Sequence, residues 1–295
     1  SNGINRDQLK YFGNDLNALE RNNAFNQING LLDTFYDAKE YGSILHVDNY
    51  DWSLLQRFIQ SISYKGQISF DSIGLEDIQK SLKELIKIGQ VMSQKYDVVV
   101  TNPPYLNKMD VKLKEYVQSK FKDYSSDLFS VFMYRDFDYC KDNGYTGFMT
   151  PFVWMFIKSY ERLRNVIISR KSIVTLIQME YSAFEEATVP ICTFVLKNRK
   201  SDSPSICFKL SDFKGGMEVQ RQRVLEALNN KNCGYFYEAA QGNFSKIPGS
   251  PIAYWATFQI MKAFNEIKIE QIADVRQGII PGNVDEFLRV WFEVS

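Results

Sequence analysis

Asn102, Pro103 and Tyr105 place an amide, a rigid backbone carbonyl and an aromatic ring within one tetrapeptide, Asn102-Pro103-Pro104-Tyr105. An amide oxygen and a carbonyl oxygen aimed at one point suit a planar –NH2 group. Such a group offers two hydrogens and, once pyramidalised, a nucleophilic lone pair. The Tyr105 ring can stack on the ring system that carries the amine. The two prolines remove two N–H donors and fix φ, so the carbonyls just before them lack ladder partners and the loop becomes a stiff acceptor platform. The same four residues also fit a strand that ends in an X-Pro-Pro turn, with Asn102 as the turn former and Tyr105 in the core.

The elements around the tetrapeptide must hold it in place. Tyr96-Asp97-Val98-Val99-Val100-Thr101 reads as a buried strand running into Asn102, and the ends of such strands are where α/β proteins keep their ligands. Downstream, Asp127 to Asn143 reads as a helix opened by a Ser125 or Ser126 cap and closed by Asn143-Gly144. A strand over Gly144–Pro151, an amphipathic helix over 152–170 and strands over Ser172–Met179 and Ile191–Leu196 follow. This alternation predicts an α/β doubly wound sheet, and the short last connection predicts an antiparallel final pair. Residues 1–93 read as a mostly helical N-terminal segment, with amphipathic stretches over 50–62 and 75–92 and a short strand or packed loop over Gly42–Val47. Residues 94–200 form the expected core and 201–268 a linker with helices near 218–230 and 254–266. The segment 269–295 alternates turn signals with apolar residues.

Composition narrows the partners. Lys plus Arg and Asp plus Glu are both 35, so no overall basic charge advertises nucleic acid and a polyanion would need a local patch. The 22 Phe and 17 Tyr suit a large core and also stacking surfaces. Cys140, Cys192, Cys207 and Cys233 show no C-x-x-C spacing and read as free buried thiols, not as metal ligands or a disulfide framework. The single histidine, His46, argues against a His-based triad. No apolar run approaches membrane-spanning length and the N-terminus lacks a signal pattern, so no membrane partner and a cytoplasmic location are expected.

With its hydrophobic strand in front, Asn102-Pro103-Pro104-Tyr105 resembles the (Asp/Asn/Ser)-Pro-Pro-(Tyr/Phe/Trp) motif of amino-methyltransferases that use S-adenosylmethionine. Ser126-Asp127-Leu128-Phe129, Gly144 to Pro151, Tyr160-Glu161-Arg162-Leu163-Arg164 and Phe184-Glu185-Glu186-Ala187-Thr188-Val189 resemble, in order, segments of the large adenine-specific DNA methyltransferases of restriction-modification systems. Asp37 to Leu45 is similar to the BREX-type phage-defence members. The resemblance implies a Rossmann-like class I methyltransferase sheet with S-adenosylmethionine as cofactor. It also implies double-stranded DNA and other defence-system subunits as partners. Asn102 and the Pro103 carbonyl would hold the amine, with Pro104 and Tyr105 completing the catalytic set. Phe184 would meet the flipped base edge-on, and Arg162 and Arg164 would contact the substrate's phosphates. The segment 269–295 would begin a target-recognition domain.

One departure bears on the cofactor. These enzymes carry a Gly-rich turn upstream of the proline motif, and no Gly-x-Gly occurs in this chain; Phe12-Gly13-Asn14-Asp15 is the nearest candidate. The expectation is therefore a fragment that begins after the cofactor half of its parent enzyme, is inactive alone and binds no S-adenosylmethionine. Two other readings fit the same motif: a protein-glutamine or RNA amine methyltransferase, and a degenerate domain that binds DNA or a partner without catalysis.

Overall fold

A computed structural model describes residues 4–62, 74–181, 189–264, 266–267 and 269–274. The N-terminal part is helical: α1 (Ala18–Thr34), α2 (Ala38–Tyr41), α3 (Trp52–Gln60) and α4 (Leu75–Ser93). Asn17 and Glu20 close a capping box at the start of α1, and the Asp51 carboxylate accepts from Leu54 N–H at the start of α3. The apolar spacing of α3 has the expected result. Leu54, Leu55, Phe58 and Ile59 are buried in one cluster with Ile28 and Leu31 of α1 and Leu82 and Ile86 of α4. Gly42–Ile44, open between strand and loop from sequence, is a 3-10 turn, and it buries Ile44 among Leu113, Val117, Leu128 and Val131.

The rest is a mixed sheet with helices packed on it. In chain order come β1 (Tyr96–Thr101), α5 (Val111–Lys120), α6 (Leu128–Tyr139), β2 (Cys140–Pro151), α7 (Glu161–Arg170), β3 (Ser172–Gln178), β4 (Ile191–Lys197), β5 (Ser205–Lys209), α8 (Gly216–Asn229), β6 (Phe236–Ala239), α9 (Phe258–Ala263) and α10 (Ile269–Ile272). The six strands lie in the order β1-β2-β4-β3-β5-β6. Strands β1 and β2 are parallel, while β4 runs antiparallel to both β2 and β3. The α/β class and the antiparallel last strand are thus as expected, and β4 reaches its place by inserting between β2 and β3. Phe148, Trp154, Leu163, Ile167, Leu176 and Phe194 fill the core between the sheet and α7.

Three stretches differ from expectation. The helix read over 127–143 ends at Tyr139, and Asn143-Gly144, read as its stop, lies inside β2. There the register jumps from Tyr96↔Cys140 to Val98↔Tyr145, with Asn143 at φ 65°. The single helix read over 152–170 is two 3-10 turns, Phe152–Met155 and Lys158–Tyr160, followed by α7. The Trp154 and Ile157 carbonyls accept from the Arg164 guanidinium, and those bonds take the place of helical ones. Finally, the sequence of 201–268 predicts linker and helix only, yet the segment supplies β5, parallel to β3, and β6, antiparallel to β5. Among the described residues no helix is long and apolar enough to cross a membrane, and no cluster of His, Cys, Asp or Glu could hold a metal ion.

Candidate active site

Strand β1 pairs with β2 up to Thr101↔Phe148, and the chain then leaves the sheet at Asn102. The turn has a physical cause: neither Pro103 nor Pro104 can donate to a ladder. Pro103 is buried and Pro104 exposed. Asn102 is exposed, and its amide oxygen accepts from the Tyr105 hydroxyl at 3.1 Å. The same hydroxyl lies 3.1 Å from the Met149 carbonyl oxygen on β2. One hydroxyl proton therefore serves two acceptors, and the tyrosine spans from the tetrapeptide back to the neighbouring strand. Its ring meets Phe129 edge-on, with centroids 6.4 Å apart. Burial, with a smaller contribution from Cys192, pushes the Tyr105 hydroxyl up to about 12, so it stays protonated and a donor at neutral pH.

The Asn102 oxygen keeps a second lone pair for another donor. Among the described residues, nothing donates to the Pro103 carbonyl and nothing accepts from the Asn102 NH2. The exposed Asn102 thus carries an acceptor oxygen beside the Tyr105 hydroxyl at the end of β1. The chain beyond Tyr105 is tied down as well. Leu106 N–H donates to the Asp127 carboxylate at 2.9 Å, and Leu128 N–H donates to the Leu106 carbonyl at 3.0 Å.

Beside β1 runs a groove of about 390 Å³ whose walls include Val98, Val100, Thr101, Phe132, Asp136 and Tyr139. Asp136 is 6% exposed and its Oδ2 has no hydrogen-bond partner. Burial, opposed by Arg135, pushes this carboxyl up to about 7. The groove offers an apolar and aromatic wall with the Asp136 carboxyl buried in it, and a wall of this kind suits a flat ring such as that of an adenosyl group.

The residues expected at the site fare differently. Asn102, Pro103, Pro104 and Tyr105 are together at the end of β1. Arg162 is exposed on α7. Arg164 requires a correction: it is 1% exposed, and its guanidinium donates to the carbonyls of Trp154, Ile157, Gly249 and Ser250. A buried side chain committed to four backbone carbonyls does not reach a phosphate. Phe184 lies outside the described residues.

Sequence reasoning named Asp127 only as the start of a helix and within the Ser126-Asp127-Leu128-Phe129 segment, gave it no role at the site, and passed over Asp136. Asp127, not Ser125 or Ser126, caps α6, accepting from Phe129 N–H at 3.2 Å; aspartate is as good a cap as serine, so Asp127 was an available signal. Asp136 stands seven residues after Phe129, on the buried face of α6 with Met133, where helical spacing alone marks it as a carboxylate directed inward.

The family model described as Eco57I restriction-modification methylase matches residues 10–184. The adenine-specific methyltransferase BrxX of Escherichia coli O9:H4 (strain HS) is 33% identical over 267 residues, which cover 88% of this chain and 21% of that protein. The adenine-specific methyltransferase PglX of Lacticaseibacillus casei (strain Zhang) is 33% identical over 278 residues, 91% of this chain and 23% of that protein. The chain thus spans about a fifth of the length of these relatives. Among solved structures, a type I restriction-modification methyltransferase subunit from Streptococcus thermophilus aligns with 57% of this chain and 44% of its own, at 15% identity and a TM-score of 0.42.

Proposed function

This chain belongs to the Eco57I restriction-modification methylase family, and from that premise we propose that it carries the substrate-facing half of a DNA methyltransferase. The full-length enzyme moves a methyl group from S-adenosylmethionine to the exocyclic amine of an adenine, in restriction-modification or phage defence. The observation that carries this reading is the exposed Asn102 amide at the end of β1, with an unused lone pair, beside a Pro103 carbonyl without a described donor.

A duplex hides the adenine amine, so the base is flipped out at a cost of a few kcal/mol. Asn102 Oδ1 and the Pro103 carbonyl accept the amine's two hydrogens, which draws the nitrogen toward tetrahedral geometry and aims its lone pair. Tyr105 presents its ring to the base. Bound S-adenosylmethionine supplies an electrophilic methyl on a sulfonium, so direct displacement needs no covalent enzyme intermediate. Val98, Val100, Phe132 and Asp136 would hold its adenosyl part. Positioning supplies much of the rate.

Further parts of the reading rest on the family likeness. Phe184 would hold the far edge of the base, and Arg162 would contact a phosphate of double-stranded DNA. Residues 94–200 would be the substrate half of the catalytic core, with β5 and β6 extending its sheet, and 269–295 would lead into a target-recognition domain. Other subunits of a defence system would be its partners. A labelled methyl donor, given to the full-length protein with plasmid DNA and with protein substrates, tests the proposal. Label is expected in DNA adenine, and labelled protein beside unlabelled DNA would reject it. Asn102→Ala should cut transfer by about a hundredfold or more while leaving thermal unfolding unchanged.

A further inference from the structure

We propose that Asp127 is a positioning residue for the amine-binding tetrapeptide. It clamps the chain just beyond Tyr105 and so fixes where the Tyr105 ring and the Asn102 amide stand. The geometry is a reciprocal pair. Leu106 N–H donates to Asp127 Oδ1 at 2.9 Å, and Leu128 N–H, one residue after the aspartate, returns a bond to the Leu106 carbonyl at 3.0 Å. The same Oδ1 caps α6 through Phe129 N–H at 3.2 Å, so the tetrapeptide is stitched to the first turn of a helix whose Phe129 ring touches the Tyr105 ring.

The clamp acts on a segment with few other restraints. Leu106 is 39% exposed and stands outside any strand or helix. Tyr105 is held on its other side by the hydroxyl contact to Met149 on β2. The aromatic is therefore pinned from two directions, by β2 through its hydroxyl and by α6 through the backbone that follows it. Asp127 is 9% exposed, and burial raises its carboxyl above the ordinary range while the Phe129, Leu106 and Leu128 N–H groups oppose that rise. A partly desolvated carboxylate surrounded by backbone N–H groups has little freedom to turn away, and bonds of this charge-assisted kind are among the stronger ones.

The kinetic part of this inference rests on the proposed methyl transfer; the clamp itself does not. Three variants separate the roles. Asp127→Asn keeps an acceptor at the same reach, and Asp127→Ser keeps a good helix cap on a shorter side chain that falls short of Leu106. Asp127→Ala removes both. Amide hydrogen exchange on this chain should show Leu106 protected in wild type and in Asp127→Asn, and fast in Asp127→Ser, with α6 protected in all three. In the full-length enzyme acting on plasmid DNA, Asp127→Ser and Asp127→Ala should lose about a hundredfold in kcat with KM little changed, because misplacing a binding group by about 1 Å costs that much. Asp127→Asn should recover most of the rate. Fast Leu106 exchange in wild type, wild-type kcat in Asp127→Ser, or an Asp127→Asn variant as impaired as Asp127→Ser would each overturn the proposal. If the wild-type enzyme methylates no adenine, the functional reading fails, and Leu106 exchange still decides on the clamp.

Discussion

Arg162 and Arg164 sit two residues apart on α7 and have opposite fates. At Arg164 the buried planar guanidinium donates to four backbone carbonyls at distances from 2.6 to 3.1 Å, and so joins the turns before α7 to Gly249 and Ser250. Arg164→Ala strands those acceptors and should destabilise the chain by about 3 kcal/mol or more. Arg164→Lys should recover little of it, since one ammonium lacks the fork. Both are read from urea midpoints. Arg162→Ala should move stability by less than about 0.5 kcal/mol. In the full-length enzyme it should weaken DNA binding at every sequence and lower the salt slope by about one; an unchanged slope would remove Arg162 from the interface. Asp136 makes the pH prediction. Its folded-state pKa near 7 lies above the ordinary carboxylate value, so between pH 4 and 7 the folded chain holds a proton that the unfolded chain has released. Stability is therefore full below about pH 4 and is lost as the pH rises toward 7, by a few kcal/mol from this group. Unfolding at pH 5 and pH 8 should show the loss in wild type, and Asp136→Asn should flatten it.

At the scale of elements, legibility followed the locality of the cause. Strand β1 and helices α3 and α4 were readable because apolar periodicity reports burial directly: Leu82 and Ile86 recur at helical spacing and are buried. Strand β4's direction was readable from a short connection. Strands β5 and β6 were not, because runs of five and four residues carry little pattern of their own and form only by adding to β3. The Asn143-Gly144 pair misled for a similar reason. A helix stop and a strand bulge ask for the same backbone freedom, and only the pairing with β1 decides between them. An added Cβ at Gly144 would lie 2.6 Å from the Asp97 carbonyl oxygen and 2.8 Å from the Cys140 sulfur. Gly144→Ala should therefore push β1 away from β2 and cost about 1–3 kcal/mol, seen as a lower urea midpoint. Because β1 carries the tetrapeptide, the same variant should speed amide exchange at Val100 and Thr101. A midpoint equal to wild type would mean that the strands part without cost.

At the scale of the whole molecule, the proposed amine site draws on distant segments while the groove beside it remains open. Asn102, Tyr105, Asp127 and Met149 come from a strand end, a loop, a helix cap and a second strand. Asn102 and Tyr105 declare their chemistry in one local motif, whereas Asp127 and Met149 contribute through contacts that no spacing announces. Along β1, Val98 is 59% and Val100 75% exposed, so whatever occupies that groove meets protein on one side and water on the other. Tight small-molecule sites bury most of their ligand. No Gly-x-Gly occurs in the chain, and such turns are one means of bringing backbone close to a cofactor. Titrating S-adenosylmethionine into the 295-residue chain by calorimetry should accordingly give no measurable binding, while the full-length protein binds. Micromolar affinity in the chain alone would show that β1, α6 and their neighbours enclose the cofactor without help. Repeating that titration with Asp136→Asn in the full-length protein locates the groove's share: weaker binding with unchanged folding places the Asp136 carboxyl against the ligand, and equal binding assigns it to packing.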